Sequence, residues 1–168
     1  MKKILSVILL VCFAFVLCSC GEYDTYNELG LNYELPADFE EFDDNSYGME
    51  RYYSKGKAGF GFNVFSSNGL ENQGVDPDIT ASEYMNKFLI WNALEYEKNL
   101  FYEYDEETGI AEISYLVEYD EGTDSEVYRW IIMRPGEHLY VICTFYTEPT
   151  EEQNAPVIDR IINSIVVD

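Results

Sequence analysis

The chain has 168 residues, with 10 lysines and arginines against 32 aspartates and glutamates, for a formal charge of −22 at pH 7. Such an excess excludes nucleic-acid binding, which relies on Lys and Arg to neutralise phosphates, and opposes flat docking on anionic lipid headgroups within a Debye length of about 8 Å. It does not signal disorder, because all 15 tyrosines, both tryptophans and eight of the ten phenylalanines lie beyond residue 19 and supply material for a core.

Lys2 and Lys3 precede an apolar run, Ile4 to Leu17, broken only by Ser6. That run falls short of the roughly 20 residues a membrane-spanning helix needs and fits the apolar stretch of a signal peptide. Leu17-Cys18-Ser19-Cys20 closes it. The tetrapeptide resembles the lipobox of bacterial lipoproteins, with Cys18 less usual there than Ala or Ser. The Cys20 thiol would take a diacylglyceryl group, and a membrane peptidase that admits small side chains would cut between Ser19 and Cys20. Cys18 is a poor alternative acceptor, because Val16 and Leu17 precede it.

Cleavage there leaves 149 residues, Cys20 to Asp168, enough for one domain with a real core. Losing two lysines and no acids deepens the formal charge from −22 to −24. Cys12 and Cys18 leave with the leader, and Cys20 is lipidated. Cys143 then has no intramolecular disulfide partner and reads as a buried core thiol. The expected organisation is a signal peptide over 1–19, a lipidated N-terminus and short polar tether over 20–30, and a single domain over 31–168. Ten tether residues reach at most about 33–36 Å.

Leu31 to Pro36 alternates apolar and polar residues and stops at proline, as a first strand would. Acidic residues then crowd Asp38 to Asp44, around Phe39 and Phe42. Met49 to Ser54 reads as a second strand, closed by Lys55-Gly56-Lys57. In Gly59 to Phe65, Phe60, Phe62 and Val64 share one face while Gly59, Gly61 and Asn63 share the other, a pattern that suits close approach by another backbone. It has neither the Walker nor the dinucleotide spacing of a phosphate loop. Ser66 to Ile79 reads as a loop. Thr80 and Glu83 form a capping box that opens a helix, with Ala81, Tyr84, Met85, Phe88, Leu89, Trp91 and Leu94 at helical spacing to about Glu97.

Phe101 to Tyr104 leads into a turn at Asp105 to Gly109. Ile110–Tyr119, Val127–Arg134 and Leu139–Thr147 follow as strands, separated by Asp120 to Asp124 and by Pro135-Gly136, an antiparallel meander. Val157, Ile158, Ile161, Ile162 and Ile165 mark a last helix, with Pro156 expected in or near its first turn.

The LNYELP opening, the glycine–aromatic strand, the mid-chain helix and the meander set a pattern. Tyr140-Val141-Ile142, Phe145 and a closing helix with Ile162-Asn163-Ser164-Ile165 complete it. From Leu31 to Val167 the chain resembles the PsbP-like family of bacterial lipoproteins. The resemblance implies an α+β fold, an antiparallel β-sheet flanked by helices as an α/β/α sandwich. It carries no catalytic residues, because members act as accessory and binding proteins with differing partners.

Searching the residues for chemistry gives little. His138 stands alone beside Gly136 in an expected turn, with no nucleophile elbow. One histidine and one unmodified cysteine fall short of a zinc ligand set, and no metal or cofactor is expected. Asp43-Asp44-Asn45, Asp76-Pro77-Asp78 and Asp105-Glu106-Glu107 offer oxygens but miss the calcium-loop spacing, so they read as solvated acidic surface.

Function is therefore expected to be non-enzymatic: a binding or accessory lipoprotein, lipid-anchored to the cell membrane on its extracytoplasmic face. Its partner would be another envelope protein or a cationic or cell-wall ligand. Tyr23, Tyr26, Tyr47, Tyr52 and Tyr53 are expected as exposed contact residues. The alternative is a small cell-envelope hydrolase using a carboxylate pair, which would need a pocket with two convergent carboxylates.

Overall fold

The computed structural model describes residues 22–42, 49–90, 100–119 and 123–168. The expected signal peptide with Ser19 and Cys20, Asp43-Asp44-Asn45, Tyr47, the positions from Trp91 to Glu97 expected to be helical and residues 120–122 of an expected turn lie outside the described residues.

Among the described residues, ten strands and three α-helices follow one another. Strands β1 (Tyr23–Glu28), β2 (Leu31–Pro36) and β10 (Val166–Val167) form a small antiparallel sheet in the order β1-β2-β10. Seven strands form the large antiparallel sheet: β3 (Glu40–Glu41), β4 (Arg51–Lys55), β5 (Ala58–Ser66), β6 (Phe101–Asp105), β7 (Ile110–Val117), β8 (Glu126–Met133) and β9 (His138–Thr147). Their order across the sheet is β3-β4-β5-β9-β8-β7-β6. The meander read from the sequence is present, with Ile113 facing Trp130 and Ile131 facing Ile142 in consecutive ladders.

Both faces of the large sheet are covered. On one face, Phe60, Phe62, Ile131 and Ile142 pack with Leu31, Tyr33 and Leu35 of β2 and with Ile158 and Ile161 of helix α3 (Glu151–Ser164). On the other, Ala111, Ile113, Ile132, Leu139 and Val141 pack with Leu70 of helix α1 (Ser67–Asn72) and with Ala81 and Met85. Ala81 opens helix α2 (Ala81–Tyr84), which continues with π winding over Met85–Leu89. The predicted capping box is formed: Thr80 Oγ1 accepts the Glu83 N–H at 3.2 Å, and the Glu83 carboxylate accepts the Thr80 N–H at 2.9 Å. The architecture is an antiparallel α+β fold.

A third cluster explains the glycine stripe of β5. Gly61 lies opposite Tyr52 on β4 and Gly59 opposite Phe145 on β9. With no side chains between them, the Tyr52 and Phe145 rings stack across β5, 6.3 Å apart and 7° from parallel. Tyr128 and Tyr115 extend the row at 5.7 Å per step, and Phe42 joins its other end at 6.1 Å. The close approach expected at the glycines is made at Gly61 by the Arg51 carbonyl, which would lie 2.9 Å from an added Cβ, but at Gly59 by an aromatic ring.

Four expectations are corrected. The span 20–30 is not all tether, because Tyr23–Glu28 is a strand paired along its whole length with β2. Its polar sequence follows from its burial pattern, in which only Tyr23, Tyr26 and Glu28 are half-buried. The loop read over Ser66–Ile79 contains α1, capped by Ser66 Oγ on the Gly69 N–H at 3.1 Å and anchored by buried Leu70. Phe101–Asp105 is an edge strand, not a lead-in to a turn. Pro156 lies inside α3, not in its first turn, because the helix begins at Glu151 behind a 3-10 turn over Glu148–Thr150 that contains Pro149. Pro156 is exposed, so the carbonyl that loses its amide partner has access to water.

Candidate binding groove

Helix α3 positions one wall of a concave surface. Its apolar side seats Ile158 and Ile161 in the core, and Arg129 bridges it to the sheet, contacting Glu112 at 2.6 and 3.1 Å and Asp159 at 3.0 Å. Near its C-terminus, Ser164 Oγ accepts the Glu34 N–H of β2 at 2.8 Å and donates to the Ile161 carbonyl at 2.6 Å. The Arg160 guanidinium lies 3.5 Å from the centre of the Tyr23 ring and 3.1 Å from Glu34.

With α3 fixed this way, its N-terminal half stands beside the β4–β5 hairpin and leaves a groove of about 500 Å³. Tyr23, Phe39 and Val157 supply its apolar wall, and Thr150, Gln153, Asn154, Lys55 and Lys57 its polar groups. The hairpin turns at Gly56, whose φ of +58° is left-handed, so Lys55 and Lys57 both reach the groove. Lys55 is ion-paired with Asp38 and Lys57 with Asp124, and both pairs are exposed. Among the described residues, Asp38 is the one carboxylate side chain in the lining. The described lining offers apolar contact and hydrogen bonds.

A shallower cavity of about 530 Å³ at the opposite end of the hairpins gathers Glu50, Ser66, His138, Tyr140 and Asp168. His138 is thus at the start of β9, exposed, and beside two carboxylates that the sequence did not connect with it. The Asp168 carboxylate accepts the Asn32 amide at 2.6 Å and the Asn27 amide at 3.3 Å, and Glu50 accepts the Val64 N–H at 3.4 Å. Both carboxylate residues are exposed.

A polar cluster lies within the core of the α3 face. Glu28 accepts hydrogen bonds from the Tyr33 hydroxyl at 3.1 Å, the Tyr53 hydroxyl at 3.0 Å and Arg51 Nε at 3.2 Å, and the two hydroxyls are 3.2 Å apart. Burial pushes the Tyr53 hydroxyl up to about 12, and burial with the Tyr53 hydrogen bond pushes Tyr33 upward too. Tyr26 stacks on Tyr33 at 5.4 Å.

Several readings change here. Tyr53 is 2% exposed and belongs to the core, whereas Tyr102, Tyr104 and Tyr119 are the tyrosines most open to water among the described residues. Tyr23, Tyr26 and Tyr52 are half-buried. Cys143 is buried, as expected, and burial pushes its thiol pKa upward, away from the reactive thiolate. The two described acidic loops are organised around their own backbone: Asp76 accepts the Asp78 N–H, and Asp105 accepts the Glu107 N–H and the Thr108 hydroxyl.

No family model and no curated protein matches the sequence. Solved structures do match in fold. The cyanobacterial PsbP protein (CyanoP) of Synechocystis sp. PCC 6803 aligns over 89% of this chain and 96% of its own, with a TM-score of 0.53 and 12% identity. The Ran-binding protein Mog1p of Saccharomyces cerevisiae aligns over 88% and 96%, at 0.52 and 8%. LpqN of Mycobacterium tuberculosis, a protein involved in cell envelope biogenesis, aligns over 91% and 94%, at 0.53 and 5%. At such identities only the fold is shared, and that fold is the PsbP-like α+β fold the resemblance implied.

Proposed function

We propose that this chain is a lipid-anchored accessory protein of a bacterial cell envelope. Signal peptidase cuts after Ser19, Cys20 carries the lipid, and the domain works as a non-enzymatic binding module on the extracytoplasmic face of the membrane. The observation that carries this reading is the spacing between lipobox and fold. Only Gly21 and Glu22 stand between Cys20 and the first strand, so a lipid on Cys20 would hold the domain within about 10 Å of its attachment point. Among the described residues no helix is long and apolar enough to cross a membrane. The fold shared with CyanoP and with LpqN supports an accessory role. The α3 groove is the candidate ligand site, and its apolar wall and amide groups suit a ligand of mixed polarity.

Cell fractionation of wild type and Cys20→Ala, with mass spectrometry of the N-terminal peptide, tests this. The reading requires membrane-bound wild type beginning at a diacylglyceryl-modified Cys20, and release or mislocalisation of the variant. An N-terminus that is unmodified, with normal membrane retention, overturns it.

The carboxylate-pair hydrolase keeps one foothold, the cavity shared by Glu50, Asp168 and His138. A hydrolase working there would lose its activity on cell-wall glycan in the Glu50→Gln and Asp168→Asn variants. The accessory reading expects wild type to show no turnover of that glycan.

A further inference from the structure

Strand β6 ends the large sheet, and all five of its residues are exposed. Its inner edge is paired with β7 from Phe101–Ser114 to Asp105–Ile110. Among the described residues nothing pairs with its outer edge. Open edges expose outward N–H and C=O groups that template another chain, and proteins blunt them with proline, bulges, charge or a covering segment. β6 has no proline and keeps unbroken register with β7. It carries instead two carboxylates, Glu103 and Asp105, and three open rings: Phe101 is 50% exposed, Tyr102 57% and Tyr104 40%.

Alternation along the strand sorts these groups. Tyr102 and Tyr104 lie opposite Ile113 and Ala111, on the face of the sheet that α1 and α2 cover. Glu103 and Asp105 lie on the opposite face, where Glu103 is directly across from Glu112. Like charges placed so repel. Arg129 neutralises Glu112, while Glu103 has no hydrogen bond or ion pair among the described residues.

This pattern rejects a second copy of the chain. An antiparallel self-pairing centred on Glu103 would set Glu103 against Glu103, between two molecules each carrying −22. A strand with Lys or Arg at every second position meets the opposite situation. Its cations would face Glu103 and Asp105, and its alternate aliphatic residues would lie on Tyr102 and Tyr104. We infer that β6 is a docking strand that accepts an extended, lysine- or arginine-bearing segment of a second protein as an added antiparallel strand. This deepens the accessory reading and rests on it only for the partner being an envelope protein.

Hydrogen exchange with mass spectrometry on the full-length chain in detergent micelles tests the inference. The probe is a Thr-Lys-Val-Lys-Val-Lys-Thr peptide, and its counterpart has glutamate for each lysine. The lysine peptide should slow exchange across residues 101–105 and leave the other sheet edge at Glu40–Glu41 unchanged, and the glutamate peptide should do neither. The Glu103→Lys variant, which spares the turn built on Asp105, should weaken lysine-peptide binding by about tenfold. High salt should weaken it in unaltered protein by screening the same charges. Equal protection by both peptides, protection elsewhere in the chain, or none at roughly millimolar peptide overturns the inference. Membrane release of Cys20→Ala reads lipid attachment alone, so either proposal fails without the other.

Discussion

Phe145 covers Gly59 so closely that a Cβ added to the glycine would meet the ring at 2.2 Å. The two residues are directly paired across β5 and β9, and the ring fills the space the missing side chain leaves. The same ring stacks on Tyr52 and Tyr128, so displacing it disturbs the whole aromatic row. Gly59→Ala should therefore destabilise the domain by about 1–3 kcal/mol, the usual cost of overpacking a filled core. Adding Phe145→Leu should recover part of that loss in a double-mutant cycle measured by urea unfolding. A neutral Gly59→Ala would mean the ring is not seated there.

The β1–β2 hairpin turns through Leu29 and Gly30, with φ of +54° and +79°. Both values are left-handed, as a two-residue type I′ turn requires. Leucine tolerates that conformation poorly and gains nothing here, being 44% exposed. Asparagine favours it. Leu29→Asn should stabilise the domain by about 0.5–1 kcal/mol in thermal or urea unfolding. A destabilised variant would argue against the hairpin, and so against β1 as part of the domain.

Tyr33 and Tyr53 give stability a definite dependence on alkaline pH. Burial raises both hydroxyls above their ordinary value of 10.0, Tyr53 to about 12. As pH passes 10 the unfolded chain releases these protons while the folded chain keeps them. The stabilisation is thus complete below pH 10 and is lost as pH rises through the folded-state values. Each such tyrosine should steepen the loss by about 1.4 kcal/mol per pH unit in that window. Urea unfolding between pH 8 and pH 12 measures the slope, both limits taken as roughly bracketing the tyrosine range. The double variant Tyr33→Phe/Tyr53→Phe should flatten it, and an unchanged slope would remove these two residues from the explanation.

The elements legible in the sequence were those whose two sides meet different surroundings. β7, β8 and β9 have one face on α3 and one on α1 and α2, and their apolar residues fall in recognisable runs between turn residues. The capping box of α2 and the apolar side of α3 are similarly local signals. β1 was hidden because its exposed residues, Asp24, Thr25 and Asn27, resemble a linker, and its partner strand supplies the order. β6 was hidden for a related reason, as all five of its residues are exposed and its alternation of tyrosines with carboxylates marks no buried face. Short α1 lacked the length for a periodic pattern and declared itself only through Ser66 and Leu70.

The candidate site was less legible still. The α3 groove joins Tyr23, Phe39, Lys55 and Asn154, residues up to 131 positions apart that only the packing of α3 brings together. The Glu50, His138 and Asp168 grouping depends likewise on the pairing of β5 with β9 and of β10 with β2. Conversely, the lipobox proposed at Leu17–Cys20 would be a linear signal read before folding, so its legibility does not depend on tertiary packing.

Chemical crosslinking on intact cells, followed by mass spectrometry and compared between wild type and Cys20→Ala, tests most directly whether this is an anchored accessory protein. The account predicts one dominant envelope-protein partner in wild type, lost when Cys20 can no longer carry lipid. No reproducible partner in wild type, or the same partner retained by the variant, would contradict it.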